Sequence, residues 1–594
     1  MLPTLAGPVC AGASNVTMQA SLSPAQSAPP TRAPASLTAN PARSPGQTVW
    51  LLALWLAGPG NLPLWQRMLS GGEVRWTAFL GLGLMILGGT AALLSLLAWP
   101  RLLRPVASLL VVMAALNSHY MWQYGVVIDS TMLANALHTD AREVRDLLSW
   151  SLAGSLLLVA VPPLWWLWHR PVATGHAASR LLPNGLGVVA GLVLAVGAAL
   201  LSYQDLASLM RNQKALRFMI NPLNTVYAAG RLAAQQLPAQ ARTLTPVGED
   251  AVLGASYTNQ ARPPLLLLVL GETARADHFA LDGYARDTTP TLARWQQQGD
   301  LVNFSQVRSC GTNTQVSVPC VFSPLTRAQG GDETARHENL LDVLQRAGLA
   351  VLWLDNQAGC KGVCDRVPHA STRELAVPGF CSDGECFDAV MLQDLDARIA
   401  ALDPQRRERG VVLVMHQMGS HGPAYFKRTP PGHKRFEPEC TSATLSDCTP
   451  EALSNAYDNT IAYTDHFLGQ TLDWLQRQAQ QGQHDTGLIY LSDHGESLGE
   501  NGLYLHGLPY ALAPEQQTHV PMVAWLSPGL QQRSGVSVDC LRQRSGEALS
   551  HDNVFHSVLG LMDVRTSAYQ RPLDALAPCA RPPVQAGVSP RPAG

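Results

Sequence analysis

Five hydrophobic runs occupy the first third of the chain. They lie near 48–66, 77–98, 105–124, 147–168 and 184–203. Each is close to the length of about 20 residues that a helix needs to cross the hydrocarbon core of a bilayer. Buried helices of a soluble protein are the alternative, but successive runs with almost no charges favour membrane spans. We therefore predict a transmembrane domain of five helices over residues 48–203, in which Gly58-Pro59-Gly60 and Pro63 interrupt the first helix.

From residue 261 onward, short apolar runs alternate with segments of helical pattern, which is typical of a doubly wound α/β sheet. Polar residues that can bind metal or phosphate directly follow four of these runs. The four groups are Glu272 and Thr273 after 264–270, Asp355 and Asn356 after 349–354, His416 and His421 after 411–415, and Asp493 and His494 after 487–491. Because open α/β sheets bind ligands at the carboxyl ends of their strands, we expect these groups to converge in one crevice.

A fifth boundary, Ser309-Cys310-Gly311-Thr312-Asn313-Thr314, precedes a predicted helix. This placement puts the Thr314 hydroxyl at a helix N-terminus, where free N–H groups and the helix dipole favour anionic phosphate oxygens. A simple helix N-cap is the alternative, and for an isolated threonine it is the commoner role. Glutamate, aspartate and histidine together suit Zn²⁺, and a zinc-bound hydroxyl is a far better nucleophile than a free one.

Cysteines are concentrated in the same region. Ten of the 11 follow residue 309, and eight of these form close pairs: Cys310/Cys320, Cys360/Cys364, Cys381/Cys386 and Cys440/Cys448. Disulfides require an oxidising compartment, so this region is expected in a periplasm or outside the cell. A structural zinc site at Cys360 and Cys364 is the alternative, although such sites usually bring two pairs with tight spacing. Cys540 and Cys579 are a candidate fifth pair, and Cys10 is left alone.

The charges of the loops give an orientation that agrees with the cysteines. Loop 99–104 carries Arg101 and Arg104, and loop 169–182 carries Arg170 and Arg180, whereas loop 125–146 mixes acidic residues with its arginines. Positive loops stay in the cytoplasm, so five spans with the N-terminus inside deliver everything after residue 203 to the other side. The net charge of −2 indicates no concentrated basic patch, so we expect no nucleic-acid partner.

The remaining segments are assigned by composition and pattern. Residues 1–47, rich in Ala, Ser, Pro and Thr, are expected to form a disordered cytoplasmic tail. Residues 204–260 are expected to form a periplasmic connector along the membrane surface. The catalytic domain is expected over 261–565, followed by a C-terminal tail over 566–594.

Four stretches resemble the lipid A phosphoethanolamine transferases, a family that includes the mobile colistin-resistance enzymes. They are GETARADH at 271–278, SCGTNT through SVPC at 309–320, KGVCDRVP at 361–368 and SDHGESLGE at 492–500. The resemblance extends from about residue 48 to residue 565. It implies an N-terminal five-helix transmembrane domain and a C-terminal α/β alkaline-phosphatase/sulfatase-like periplasmic domain.

The resemblance also implies roles for individual residues. The implied zinc ligands are Glu272, Thr314, Asp493 and His494, with Thr314 as the nucleophile that becomes phosphoethanolaminylated. Four further residues match positions that bind phosphoethanolamine, assist proton transfer or hold a second zinc ion: Asn356, Lys361, His421 and His506. Taken singly, Lys361 also fits a solvated surface lysine and His506 an ordinary loop histidine. In the membrane part, Asn61 matches a residue that we assign to contact with the lipid substrate.

The implied activity transfers phosphoethanolamine from phosphatidylethanolamine to a phosphate of lipid A at the bacterial inner membrane, and we expect a monomer. Sulfatase-like hydrolases are rivals, but their nucleophile motif Cys-x-Pro-x-Arg is absent around Cys310 and Cys320. Glycerol-phosphate polymerases pair five spans with a threonine nucleophile, although four local cysteine pairs would be unusual there. A sister transferase acting on core sugars or periplasmic glucan, and a sensor or scaffold without activity, complete the alternatives.

Overall fold

The computed structural model describes residues 43–70, 76–139, 141–169, 171–173, 176–236, 244–258, 260–373, 375–382 and 385–581. Most of the predicted N-terminal tail and residues 582–594 lie outside the described residues. Packed structure continues past the predicted domain end at residue 565. Leu576 is buried there, and a disulfide joins Cys579 to Cys540, so residues 566–581 belong to the catalytic domain.

Helices form the N-terminal part, as its apolar runs predict. In chain order they are α1 Pro45–Ala57, α2 Leu62–Ser70, α3 Trp76–Leu96, α4 Leu103–Tyr124, α5 Ser130–Leu137, α6 Ala141–Leu147, α7 Trp150–Val159, α8 Val161–His169, α9 Leu181–Leu201, α10 Tyr203–Asn212 and α11 Leu223–Gln236. The helix α1 ends where Gly58 and Pro59 follow, because proline cannot continue the hydrogen-bond ladder. The predicted first span is therefore two short helices rather than one.

Length and composition identify fewer spans than the five predicted. Within the part of the chain that the structure describes, two helical stretches are long and apolar enough to cross a membrane, Trp76–Leu96 and Ala177–Leu201. A third is obtained if α7 and α8, which meet at a bend of 42°, form one span. The 22 residues of α4 include the polar Asn117, Ser118 and His119, all three of which hydrogen-bond to other segments. The count of five spans stays a prediction.

A seven-stranded sheet forms the centre of the catalytic domain. Its strands are β1 Pro264–Gly271, β2 Leu301–Phe304, β3 Ala350–Asp355, β4 His369–Ser371, β5 Val411–His416, β6 Asp485–Ser492 and β7 Met522–Leu526. The spatial order is β2-β7-β6-β1-β5-β3-β4. The five strands from β6 to β4 are parallel. At the opposite edge, β7 runs antiparallel to β6, and β2 runs antiparallel to β7. All eight residues of β1 are buried, as expected for a central parallel strand covered on both faces.

Helices cover both faces of this sheet. They are α12 Pro290–Gln298, α13 Thr314–Val321, α14 Leu340–Ala347, α15 Leu395–Ala400, α16 Pro404–Arg407, α17 Pro450–Gln480, α18 Pro528–Ser534, α19 Val538–Gln543 and α20 Val554–Leu561. Alternate residues of β1 point to opposite faces. Leu266 and Leu268 join one core cluster, and Leu265 and Leu267 join the other. Because β6, β1, β5 and β3 are parallel, their carboxyl ends lie on the same side of the sheet, and the predicted site residues follow them there.

Five disulfides join the cysteines that were paired from the sequence. They are Cys310–Cys320, Cys360–Cys364, Cys381–Cys386, Cys440–Cys448 and Cys540–Cys579. The predicted pairing is confirmed, including the fifth bridge. The alternative of a thiolate zinc site at Cys360 and Cys364 does not hold, because these two sulfurs are bonded to each other.

Candidate active site

Two adjacent strands deliver the acidic and imidazole groups of the site. The parallel register places Gly271 of β1 opposite Ser492 of β6, so Glu272 and Asp493 emerge side by side. The N–H of Asp493 donates to the carbonyl of Gly271 at 2.9 Å, which continues the pairing one residue beyond the strands. Glu272, Asp493 and His494 are all 0% exposed. Two distant stretches of sequence thus meet inside the domain.

Thr314 completes this group from the first turn of α13. The side chain of Asn313 caps the helix by accepting from the N–H of Val316 at 3.1 Å. The Thr314 hydroxyl is consequently free of the capping role and donates to both carboxylate oxygens of Glu272, at 3.2 Å each. Its Oγ1 also lies 3.4 Å from Nε2 of His494. The simple N-cap reading of Thr314 is therefore wrong, since its neighbour performs that role.

The ligand atoms of Glu272, Asp493 and His494 all lie within 4.8 Å of one another. The His494 Nδ1–H donates to the Gly495 carbonyl at 2.9 Å, which leaves Nε2 with a lone pair facing the carboxylates. Among the described residues, none hydrogen-bonds the buried Oδ2 of Asp493. Buried carboxylates without such partners are normally compensated by a cation. The donor set and its geometry fit a divalent metal, with Zn²⁺ suited to mixed oxygen and nitrogen ligands.

Burial governs the electrostatics of the cluster. It raises the pKa of Asp493 to about 6, against the opposing effects of His416 and of the N–H groups of Thr273 and His494. Burial also holds the pKa of His494 well below its ordinary value, with the nearby His506 acting in the same direction. A neutral imidazole is the form that ligates metal. Both shifts favour the uncharged forms of these two side chains, because burial removes the water that would stabilise their charges.

Two residues that the sequence did not identify hold Glu272 in place. Gln357 Nε2 donates to Oε2 of Glu272 at 3.1 Å. The Tyr457 hydroxyl, which extends from α17, donates to the carbonyl of Thr273 at 2.6 Å and accepts from the N–H of Arg275 at 3.0 Å. Thr273 has a φ of +53°, a conformation that an L-residue keeps only when its surroundings enforce it. Gln357 could have been found from the sequence, because it directly follows Asn356 at the end of β3. Tyr457 could not, because it lies within the long helix α17.

His421 and His506 lie next to this centre. The His506 ring centroid is 4.5 Å from that of His494 and 5.6 Å from that of His421. His506 Nδ1 is 3.3 Å from Oε1 of Glu496, a buried carboxyl whose pKa is raised by burial. Burial lowers the pKa of His421 well below its ordinary value, and His506, Arg428, His494 and Lys361 add to this effect. The structure therefore brings both predicted histidines next to the cluster, with His506 beside His494 and His421 beside His506.

Lys361 and Asn356 lie at β3 in different environments. Lys361 has a φ of +51° and lines an open cavity of about 600 Å³, together with Gln357, Arg373 and the Cys360–Cys364 disulfide. The Asn356 amide instead donates to the Cys386 carbonyl at 2.9 Å and to Asp388 Oδ1 at 2.8 Å. Asn356 is 1% exposed and is not among the residues that line the cavity. Its predicted contact with substrate stays a prediction.

Asn61 lies in the membrane part, where it joins two backbone segments. Its amide donates to the carbonyls of Leu56 and Asn221, both at 2.7 Å, and its Oδ1 accepts from the N–H of Asn221 at 2.8 Å. Asn61 is 0% exposed. These bonds hold the break between α1 and α2 to the connector, so the observed role is structural, and the predicted contact with lipid stays a prediction.

The sheet order, the hydroxyl at the start of α13 and the carboxylate–imidazole cluster together define a membrane-anchored enzyme of the sulfatase/alkaline phosphatase class. The family model described as "Sulfatase" matches residues 264–564. A second model, described as "Phosphoethanolamine transferase EptA/EptB", matches residues 86–237 in the membrane part.

Individual relatives extend this similarity over nearly the whole chain. The phosphoethanolamine transferase EptA of Salmonella typhimurium is 39% identical over 547 residues, which is 90% of this chain and 97% of the relative. The phosphatidylethanolamine transferase Mcr-1 of Escherichia coli is 36% identical over 88% of this chain and 95% of its own. The structure of the integral membrane lipooligosaccharide phosphoethanolamine transferase A (EptA) of Neisseria meningitidis covers 91% of this chain and 100% of its own, with a TM-score of 0.84 and 33% identity.

The chain belongs to the EptA family of phosphoethanolamine transferases. It is an integral membrane protein with a periplasmic catalytic domain, as the cysteine and loop-charge patterns predicted. The predicted fold class is confirmed at the level of a helical membrane domain followed by a sulfatase-like α/β domain.

Proposed function

We propose that this protein transfers phosphoethanolamine from phosphatidylethanolamine to a phosphate of lipid A, with Thr314 as the residue that carries the group between them. The observation that carries the proposal is the Thr314 hydroxyl, which donates to both Glu272 oxygens and faces His494 in a buried cluster. Relatives named as EptA and Mcr-1 support the choice of phosphoethanolamine as the transferred group.

Zinc is the metal that we propose for the cluster, held by Glu272, Thr314, Asp493 and His494. When bound, it lowers the pKa of the threonine hydroxyl and neutralises charge on the phosphoryl oxygens. The protein's own groups orient the nucleophile. Gln357 and the Tyr457–Thr273 contact hold Glu272, and the Asn313 cap fixes Thr314 at the helix N-terminus. The positive end of the helix dipole favours an anionic phosphate at this position.

In the first half of the reaction, Thr314 Oγ1 forms a bond to the phosphorus of phosphatidylethanolamine. The bond between phosphorus and the diacylglycerol oxygen breaks, and diacylglycerol leaves as the alcohol after taking up a proton. The proton of Thr314 passes first to Glu272, whose oxygens already accept its hydrogen bond. A phosphoethanolamine ester of Thr314 remains.

In the second half, an oxygen of a lipid A phosphate attacks the phosphorus of that ester. The bond from phosphorus to Thr314 Oγ1 breaks, and the hydroxyl regains a proton. His421 and His506 are the candidates to move this proton or to hold a second zinc ion, because His506 lies beside His494 and His421 lies beside His506. Lys361, in the adjoining cavity, is the candidate for charge pairing with a substrate phosphate.

The product gains an ammonium group beside its phosphate. Cationic peptides that depend on the negative membrane surface then bind more weakly, because each basic residue near such a surface contributes about 1 kcal/mol. We therefore propose resistance to polymyxins as the cellular consequence.

Mass spectrometry of lipid A tests the proposal in cells that express the full chain, Thr314→Ala or Thr326→Ala. Thr326 is a matched control, since its hydroxyl bonds to Gln329 rather than to the cluster. We expect a phosphoethanolamine increment on lipid A with the wild type and with Thr326→Ala, and none with Thr314→Ala. An increment found only on core sugars or glucan would overturn the acceptor, and one that persists with Thr314→Ala would overturn the nucleophile.

A further inference from the structure

The segment that carries His506 lies between the membrane domain and the nucleophile. We define residues 502–508 as the His506 segment. On one side, Leu508 is 5% exposed and belongs to a cluster with the membrane-domain and connector residues Met121, Val127, Leu216 and Met219. Leu503 packs against the same cluster. This part of the catalytic domain therefore completes a core that belongs mainly to the other domain.

On its other side, the His506 segment bonds to the residues that precede Thr314. The N–H of Gly507 donates to the Thr312 carbonyl at 2.8 Å. The Thr312 hydroxyl donates in return to the Leu508 carbonyl at 2.6 Å. Thr312 is two residues before Thr314 and is 4% exposed. This pair of hydrogen bonds thus joins the His506 segment to the residues directly before the nucleophile.

The membrane domain approaches this segment closely enough to leave no room for side chains. Gly125 ends α4 with a φ of +69°, and a Cβ built on it would lie 2.6 Å from the Gly502 carbonyl oxygen and 3.0 Å from Leu503 Cδ2. A Cβ on Gly507 would lie 2.8 Å from Sδ of Met132 in α5. Helix α5 also packs against α13, which begins with Thr314. Three contacts therefore converge on the same small region.

We propose that the membrane-domain segment 125–132 is a positioning element of the active site, which holds His506 and Thr312 in register with Thr314. This inference rests on the proposed function, in which His506 and Thr314 act on the same phosphoryl group. Glu272, Asp493 and His494 stand on the sheet and do not depend on this contact. Loss of the contact displaces Thr314 and His506 but leaves the three other proposed zinc ligands in place.

Gly125→Ala in the full-length protein tests the proposal, with Gly482→Ala as the matched control. Both glycines are left-handed, at φ +69° and +73°, so both variants carry the same backbone strain. Only the new methyl at position 125 meets the His506 segment, because nothing lies within 4 Å of a Cβ at position 482. Met132→Ala is a second variant, which removes the Gly507 contact without adding strain.

Two readouts are needed, and one of them is independent of the reaction. By hydrogen exchange with mass spectrometry, we expect faster exchange of 502–508 in Gly125→Ala and, to a smaller extent, in Met132→Ala, with no change in Gly482→Ala. In a transfer assay in detergent with lipid substrates, we expect kcat of Gly125→Ala to fall between about tenfold and a hundredfold, as small displacements of reacting groups do. The KM for phosphatidylethanolamine should stay unchanged, and zinc should be retained because Glu272, Asp493 and His494 keep their positions.

The outcomes separate this inference from the proposed function. If Gly125→Ala behaves as Gly482→Ala does in either exchange or kcat, the positioning role is overturned. If kcat falls together with zinc content, the contact is merely structural and the inference is also overturned. If the wild type transfers no phosphoethanolamine, the proposed function is overturned. Faster hydrogen exchange of residues 502–508 in Gly125→Ala would then still show that segment 125–132 holds the His506 segment in place.

Discussion

At the scale of single residues, the site depends on carboxylates that are buried and close together. We predict that Glu272→Gln abolishes metal binding at the cluster, because an amide keeps the shape of the side chain but supplies no charge to offset a dication. Transfer activity should fall by about a hundredfold or more, the scale found when a group that stabilises developing charge is removed. Metal analysis of the purified protein and the lipid A assay measure the two effects.

Glu451→Gln is the control for this change. Glu451 lies in the exposed first turn of α17 and does not contact the cluster. The Glu451→Gln protein should retain both its metal and its transfer activity. A Glu272→Gln protein that binds zinc as the wild type does would contradict the assignment of this ligand.

A second residue-scale prediction concerns His556. Its Nδ1 accepts from the N–H of Gln570 at 3.1 Å, and burial lowers its pKa to about 4 from the ordinary value of 6.5. The folded protein therefore holds this ring neutral, whereas the unfolded chain protonates it near pH 6.5. Its contribution to stability is complete above about pH 6.5 and is lost as the pH falls towards 4.

His556→Asn keeps an acceptor for Gln570 and cannot titrate. We expect its free energy of unfolding to fall less steeply than that of the wild type between pH 6.5 and pH 4, by up to about 1.4 kcal/mol per pH unit. Denaturant unfolding across this range measures the difference. Parallel slopes for the two proteins would show that His556 does not carry the effect.

Residue identities at strand ends were predictable because the type of side chain and its place after an apolar run are both local. This pattern marked Glu272, Asp493, His494 and Thr314 among other residues, and the resemblance to the transferase family singled out these four, which the structure brings together. Tyr457 could not be predicted, because it lies within a long helix and reaches Thr273 only through the packing of that helix against the sheet. The contact between Asn61 and Asn221 likewise could not be predicted, because it joins two segments that are far apart in the sequence.

At the scale of elements, the start of α13 sets the position of the nucleophile. We predict that Asn313→Ala costs about 1 kcal/mol of stability, because the Val316 N–H loses its capping acceptor. Activity should fall by more than this loss of stability explains, since Thr314 is the first helical residue. Asn313→Ser keeps a capping oxygen and should recover both properties. Thermal unfolding and the transfer assay decide, and equal activity for the two variants would contradict the role of the cap.

The four apolar runs that preceded polar groups became the strands β1, β3, β5 and β6, with boundaries within a few residues of the prediction. These central strands are buried on both faces, so their sequences are continuously apolar. The antiparallel strands β2 and β7 were not identified. They are short, with four and five residues, and their directions are set by pairing, of β7 with β6 and of β2 with β7, rather than by any local pattern.

At the scale of the whole molecule, a buried ion pair joins the two domains. Asp146 of α6 contacts Lys427 and lies 3.6 Å from Nη2 of Arg428, whose guanidinium also binds Glu385 and the His421 carbonyl. Asp146 and Arg428 side chains are 6% and 3% exposed. We predict that Asp146→Ala lowers the free energy of unfolding by about 2 kcal/mol, because it leaves a buried charge with one partner fewer.

Asp539→Ala is the matched control for that prediction. Asp539 pairs with Arg542 on the surface, where its side chain is 82% exposed, so its removal should change stability by less than about 0.5 kcal/mol. Unfolding of both variants in detergent measures the difference. Equal stability of the two would show that the pair between domains contributes nothing.

The two-domain architecture and its orientation were predictable from hydropathy, loop charge and cysteine content, which are summed over many residues. The contacts between the domains were not, because they join segments such as 125–132 and 502–508 that carry no shared pattern. The number of membrane spans also depends on contacts that the sequence pattern does not show. Polar residues in α4 reduce its hydropathy but are used for bonds to the connector and the first helices.

The central claim, that the Thr314 hydroxyl accepts phosphoethanolamine, is tested most directly by peptide mass spectrometry of the purified protein after incubation with phosphatidylethanolamine and no acceptor. We predict a phosphoethanolamine increment on the peptide containing Thr314, located to that residue by fragmentation and removed when lipid A is added. An increment on another residue, or none while diacylglycerol is still released, would contradict it.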